Sequence, residues 1–130
     1  MKFTIDKHEK YILFKLDETR LDSMVSPKLK TELILINAEG QRNIILDLST
    51  VESVHESSDL SSLLVGHRLC EKAQGVFIVV GLNDSLSHLM SVSQLEHVLI
   101  MLSTVEEAID FIFMEEIEKE LNREASAGEK

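Results

Sequence analysis

Two short runs, Asn43–Leu48 "NIILDL" and Val76–Val80 "VFIVV", are apolar at nearly every position. A strand with one wet face alternates polar with apolar; a strand that does not alternate is covered on both faces. Between these runs, Ser58–Ala73 carries leucines at helical spacing and is followed by a stop at Gly75. Buried strand, amphipathic helix and buried strand together demand a parallel sheet with helices against its faces, joined by right-handed crossovers.

The flanking segments extend the pattern. Tyr11–Leu16 alternates, with Ile12, Phe14 and Leu16 on one side, and a shorter strand, Lys2–Ile5, pairs with it across "DKHEK". "DETRLDS" reads as a loop. Ser26 as N-cap and Pro27 at the first helical position start a helix whose stripe is Leu29, Leu33 and Ile36, stopped at Gly40. Gly81–Asp84 turns into a short helix, Ser85–Ser91, and Val98–Met101 is the last strand. Thr104 and Glu107 form a capping box for a helix to about Leu121, with Phe111, Ile112, Met114 and Ile117 toward the sheet and Glu115, Glu116, Glu118 and Glu120 in solvent. The expectation is a single α/β domain over residues 1–121, with a mostly parallel sheet of four to five strands covered by about four helices. Residues 122–130 lack large apolar side chains and are expected to form a disordered tail.

The 130 residues include 13 basic and 23 acidic ones, a net charge of −10. Lys and Arg do not cluster, so the counterion release that drives nucleic-acid binding has no footprint, and an anionic membrane would repel this surface. The N-terminal "MKFTIDKHEK" lacks a signal peptide's apolar core, and no run nears the ~20 residues of a membrane span. A cytoplasmic protein with protein partners is expected. Single Cys70, among Leu63, Leu64 and Leu69, reads as a core thiol, and Met90 and Met101 as core filler. Histidines 8, 55, 67, 88 and 97 lack metal spacing, and His67 reads as a boundary residue. Asn83-Asp84-Ser85 has the form of a glycosylation acceptor but reads as a turn or helix cap. No Gly-rich phosphate loop is present, since the five glycines are scattered along the chain.

The chemistry concentrates at "VESVHESSDLSSLL", Val51–Leu64. A hydrolase elbow wants glycines on either side of its serine, and His55-Glu56-Ser57-Ser58-Asp59 has none, so an enzyme is not expected. A serine at a helix N-terminus meets free N–H groups and the positive end of the helix dipole. It serves as a cap, and the same place stabilises a phosphoryl dianion, which makes it a candidate switch. An alternative is a receiver-type domain phosphorylated on Asp47 of "NIILDLS", with Asp17-Glu18 as its acidic pair. That reading lacks a lysine after the last strand, and two adjacent opening strands are wrong for it.

From "NIILDL" through "STVEEAI", and with Leu21-Asp22 after the second strand, the chain resembles the STAS domains (sulfate transporter and anti-sigma factor antagonist), especially the stand-alone bacterial antagonists. The resemblance covers about Phe3–Phe113. It implies an anti-sigma factor antagonist whose partner is an anti-sigma factor and serine kinase of the GHKL type, with a phosphatase restoring the unmodified form. It places the phosphorylated serine at Ser57 and a partner-binding surface at Asp22, Glu56, Ser57, Ser58, Asp59 and Ser61. A further alternative is a STAS scaffold subunit without phosphorylation. Two positions depart from the family motif: Glu56 replaces aspartate and Asp59 replaces glycine. Two unit charges about 5 Å apart at an effective dielectric of 20 repel by roughly 3 kcal/mol, so Asp59 opposes phosphate on Ser57. Gln94 is a milder departure, again from glycine.

Overall fold

The computed structural model describes residues 1–128. Strands β1 (Phe3–Lys7) and β2 (Ile12–Leu16) form an antiparallel hairpin, and helix α1 (Val25–Ala38) follows a two-residue strand β3 (Arg20–Leu21). Then come β4 (Ile44–Asp47), β5 (Ser53–Val54), a 3₁₀ turn at Ser57–Leu60, α2 (Ser61–Lys72) and β6 (Phe77–Val80). Helix α3 (Asp84–Val92), strand β7 (Ile100–Leu102) and helix α4 (Val105–Gly128) complete the chain. The main sheet has the order β1-β2-β4-β6-β7, parallel except for the opening hairpin. The expected α/β architecture is what forms. A receiver puts its first strand inside a parallel sheet; here the edge hairpin excludes that arrangement.

The two faces of the sheet are covered unequally. One side buries Phe14, Leu46 and Phe77 under Leu29 and Leu33 of α1, Leu63 of α2 and Met90 of α3. Phe3 stacks on Phe14 with ring centroids 5.0 Å apart. The other side buries Tyr11, Ile45, Ile78 and Val80 under Ala108 and Ile112 of α4. Strands β4 and β6 are apolar at every position but Asp47, at the end of β4, because they lie between these layers. Its Oδ1 accepts the Ser49 amide at 2.9 Å, a strand-end turn.

Several local expectations need correction. The "DETRLDS" loop contains β3, which pairs in parallel with β5 as a second, two-stranded sheet. Ser26 is not the cap of α1: it is buried, and Asp22 caps instead, its Oδ1 accepting the Met24 and Val25 amides at 3.0 Å each. Helix α2 starts at Ser61 rather than Ser58, because residues 57–60 wind more tightly. It ends with Gln74 in the left-handed region at φ 63°, while Gly75 is required because a Cβ there would strike the Arg42 carbonyl. Strand β7 lies later than expected, leaving Val98 exposed.

Helix α4 departs most. Thr104 does cap it, its Oγ1 accepting the Glu107 amide at 3.2 Å. The helix runs past Leu121 to Gly128, since Arg123, Glu124 and Ala125 are good helix formers with or without an apolar stripe. Residues 129 and 130 of the expected tail lie outside the described residues. Met114 and Ile117 do not face the sheet; they are 66% and 55% exposed. Glu116, expected in solvent, turns inward to Arg42 at 2.6 Å and accepts from Asn43 Nδ2 at 2.8 Å.

Candidate functional site

The serine junction is built from two chain segments laced together. The Glu52 amide donates to Thr19 O at 2.7 Å and the His55 amide to Leu21 O at 2.9 Å, on either side of the β3–β5 pairing. This register sets the loop carrying Asp22 beside the one carrying Ser57. Across the seam, the Arg20 guanidinium donates to His55 Nδ1. The amides of Val25 and Met24 hold the Asp22 carboxyl below its ordinary value, and the positive charge of Arg20 adds to this.

The turn itself hangs on Asp59. Its Oδ2 accepts the Glu56 amide at 3.1 Å, and the Asp59 amide donates to Glu56 O at 2.9 Å. Its carbonyl accepts two hydroxyls, Ser26 Oγ from α1 at 2.8 Å and Ser62 Oγ from α2 at 3.3 Å. Asp59 is only 7% exposed. A buried residue with its carboxylate, amide and carbonyl all bonded fixes the position of the turn before it.

Glu56, Ser57 and Ser58 are exposed on the rim of that turn. Ser58 Oγ donates to Glu56 Oε2 at 3.4 Å. The structure thus brings Asp22, Glu56, Ser57 and Ser58 to one surface. Ser61, the first residue of α2, is half-buried, and Asp59 points inward instead of presenting its charge outward. Next to this rim, a depression of about 440 Å³ lies between β5 and α3, lined by Val54, Leu86, Leu89 and Val92. A rim of hydroxyls and carboxylates beside an apolar depression suits contact with another protein.

Arg20, His55, Ser26 and Ser62 were not legible as parts of this site. The only signals were the arginine in "DETRLDS", Ser26 beside Pro27, and the presence of His55 and Ser62 inside "VESVHESSDLSSLL". Asn83 behaves as expected, its Oδ1 accepting the Leu86 amide at 2.8 Å as cap of α3. His67 sits at the boundary, 2.9 Å from Glu71. Among the described residues, no group of three or more His, Cys, Asp or Glu side chains is placed to hold a metal, and no helix is long and apolar enough to cross a membrane.

Residues 2–108 match the family model of the STAS domain. The chain belongs to the STAS family. The solved structures agree on this fold. An anti-sigma factor antagonist from Mycobacterium paratuberculosis is similar with a TM-score of 0.75 at 19% identity, over 85% of this chain and 92% of that one. The phosphorylated form of the Bacillus cell fate determinant SpoIIAA gives 0.64 at 19% identity, over 85% and 99%. A serine-to-glutamate variant of RsbS from Moorella thermoacetica gives 0.69 at 21% identity, over 95% and 99%. No curated protein sequence matches this STAS chain.

Proposed function

We propose that this STAS domain is an anti-sigma factor antagonist. It binds an anti-sigma factor that is also a serine kinase of the GHKL type, Ser57 is the phosphate acceptor, and a phosphatase restores the binding form. The protein acts in the cytoplasm, without a cofactor and without catalysis of its own. The observation that carries the reading is the exposed Ser57, on a turn held rigid by Asp59 and placed by the β3–β5 seam beside Asp22. A structural neighbour named as an anti-sigma factor antagonist, and another solved in a phosphorylated form, support it.

Phosphate on Ser57 would add up to two negative charges next to Glu56 and Asp22, enough to break a contact made with the unmodified rim. Incubation with a GHKL-type serine kinase from the same organism and Mg-ATP, with phosphate located by mass spectrometry, tests the reading. Phosphate on Ser57 that vanishes in Ser57→Ala is the expected result. Complex formation without phosphate would leave a binder whose switch Asp59 has disabled. Neither phosphate nor complex would sink the antagonist role for that partner and favour a scaffold.

A further inference from the structure

The apolar stripe of α4 changes sides part-way along the helix. In its first two turns, Val105, Ala108, Ile109 and Ile112 pack on the sheet. Beyond Ile112 the inward positions become polar: Glu116 reaches Arg42 and Asn43, and Lys119 donates to the Gln74 carbonyl. The large apolar side chains move to the opposite face. Phe113, Met114, Ile117 and Leu121 are 44%, 66%, 55% and 59% exposed. Their spacing, one or two turns apart, stacks them into one continuous strip. Scattered single apolar residues on a surface need no explanation, but a contiguous strip of four does.

The rim of this strip is predominantly acidic. Asp110 lies one turn before Phe113 and Met114, and Glu118 one turn after Met114. Glu120 and Glu124 lie one turn beyond Ile117 and Leu121, and all four are exposed. The nearby cations do not balance it: Lys119 turns away to the Gln74 carbonyl, and Arg123, within 3.9 Å of Glu120, sets one guanidinium against four carboxylates. A second copy docking here would set carboxylates against carboxylates, and a net charge of −10 adds to that repulsion.

We infer that the outer face of α4 is a second docking surface, for an amphipathic helix of another protein that carries a basic rim around an apolar stripe. Such a helix would cover Phe113, Met114, Ile117 and Leu121 and pair its Lys or Arg side chains with the acidic rim. The surface lies across the sheet from α2 and the Ser57 turn, so both can be engaged at once. It does not depend on Ser57 being phosphorylated.

The test titrates the isotope-labelled protein with a designed helical peptide bearing a leucine stripe flanked by lysines, and follows backbone amide shifts. A scrambled peptide of the same composition serves as the control. Shifts centred on Phe113–Leu121, with binding weakened about tenfold or more by Ile117→Asp and separately by Leu121→Asp, are expected. Ile34→Asp, an exposed substitution on α1, should leave binding unchanged. Equal binding of the scrambled peptide, or shifts centred elsewhere, would overturn the proposal. So would a dimer in sedimentation that Ile117→Asp dissolves, since the face would then belong to a second copy.

Discussion

Asp59 folds back on Glu56: the carboxylate of the third residue in the turn accepts, at 3.1 Å, the amide of the residue that opens it. The position read from sequence as an obstacle to a switch is therefore also what holds the serine rim in shape. Asp59→Ala is expected to lower stability by about 1 kcal/mol, the usual cost of losing a capping acceptor. Asp59→Asn, which keeps an acceptor oxygen, should lose much less. Urea unfolding of both variants beside the native protein measures the difference. In the kinase assay, Asp59→Gly should be modified faster than the native chain, because a nearby negative charge is gone.

Ser57→Asp places a permanent charge on the exposed rim, among Glu56 and Asp22. If partner binding requires the unmodified serine, affinity for the anti-sigma factor should fall about tenfold or more, with Ser57→Ala close to native. Calorimetric titration of the three proteins decides it. Equal affinity for Ser57→Asp would remove Ser57 from the interface.

The parts of the molecule legible in sequence are those where hydropathy has a single cause. β4 and β6 are buried on both sides and read as nearly continuous apolar runs. Gly40, at φ 99°, was legible as a helix stop because a left-handed residue has few alternatives to glycine. The β3–β5 seam was not, since two-residue strands are too short for any period to register. The capping role of Asp22 was hidden by Ser26-Pro27, a stronger local signal that tertiary packing overrode by burying Ser26 against Asp59. On α4, assigning Met114 and Ile117 to the sheet and Glu116 to solvent failed where the stripe crosses faces.

Glu116 shows the physical cost of that misreading. Burial alone would raise its carboxyl pKa, but hydrogen bonds from Asn43 and Arg42 and the Arg42 charge outweigh it and hold the value below the ordinary 4.5. A carboxyl depressed on folding stabilises the native state fully above its unfolded value, and this contribution is lost as pH falls through the folded value. Glu116→Gln is thus expected to cost about 1 kcal/mol at neutral pH, as the loss of one partly exposed charge-assisted pair. The gap from native should narrow as pH drops below the ordinary carboxylate range. Urea unfolding across that acid window should show the two curves converging; a constant gap would mean Glu116 acts by packing alone.

Cys70 is fully buried in α2, and burial pushes its thiol up to about 12. The thiolate is the reactive species, so an aromatic disulfide reagent at mildly alkaline pH should leave the folded protein unlabelled. Labelling should appear in urea in step with unfolding followed by circular dichroism. Rapid labelling without denaturant would contradict the placement of α2 against β4 and β6.

Gln94 follows α3 in the left-handed region, at φ 61°, and its amide donates to Ser91 O at 3.0 Å. For a residue with a Cβ this conformation costs about 1–2 kcal/mol, whereas glycine adopts it freely. Against that gain, glycine loses about 0.5–1 kcal/mol more conformational freedom on folding. The difference predicts that Gln94→Gly stabilises the protein by up to about 1 kcal/mol. Gln74→Gly, at φ 63°, should behave the same way, while Gln41→Gly, outside the left-handed region, should be neutral or destabilising. Urea midpoints with an unchanged slope would read this directly. A lower midpoint for both left-handed positions would show that the two glutamine side chains contribute more than their backbone conformation costs.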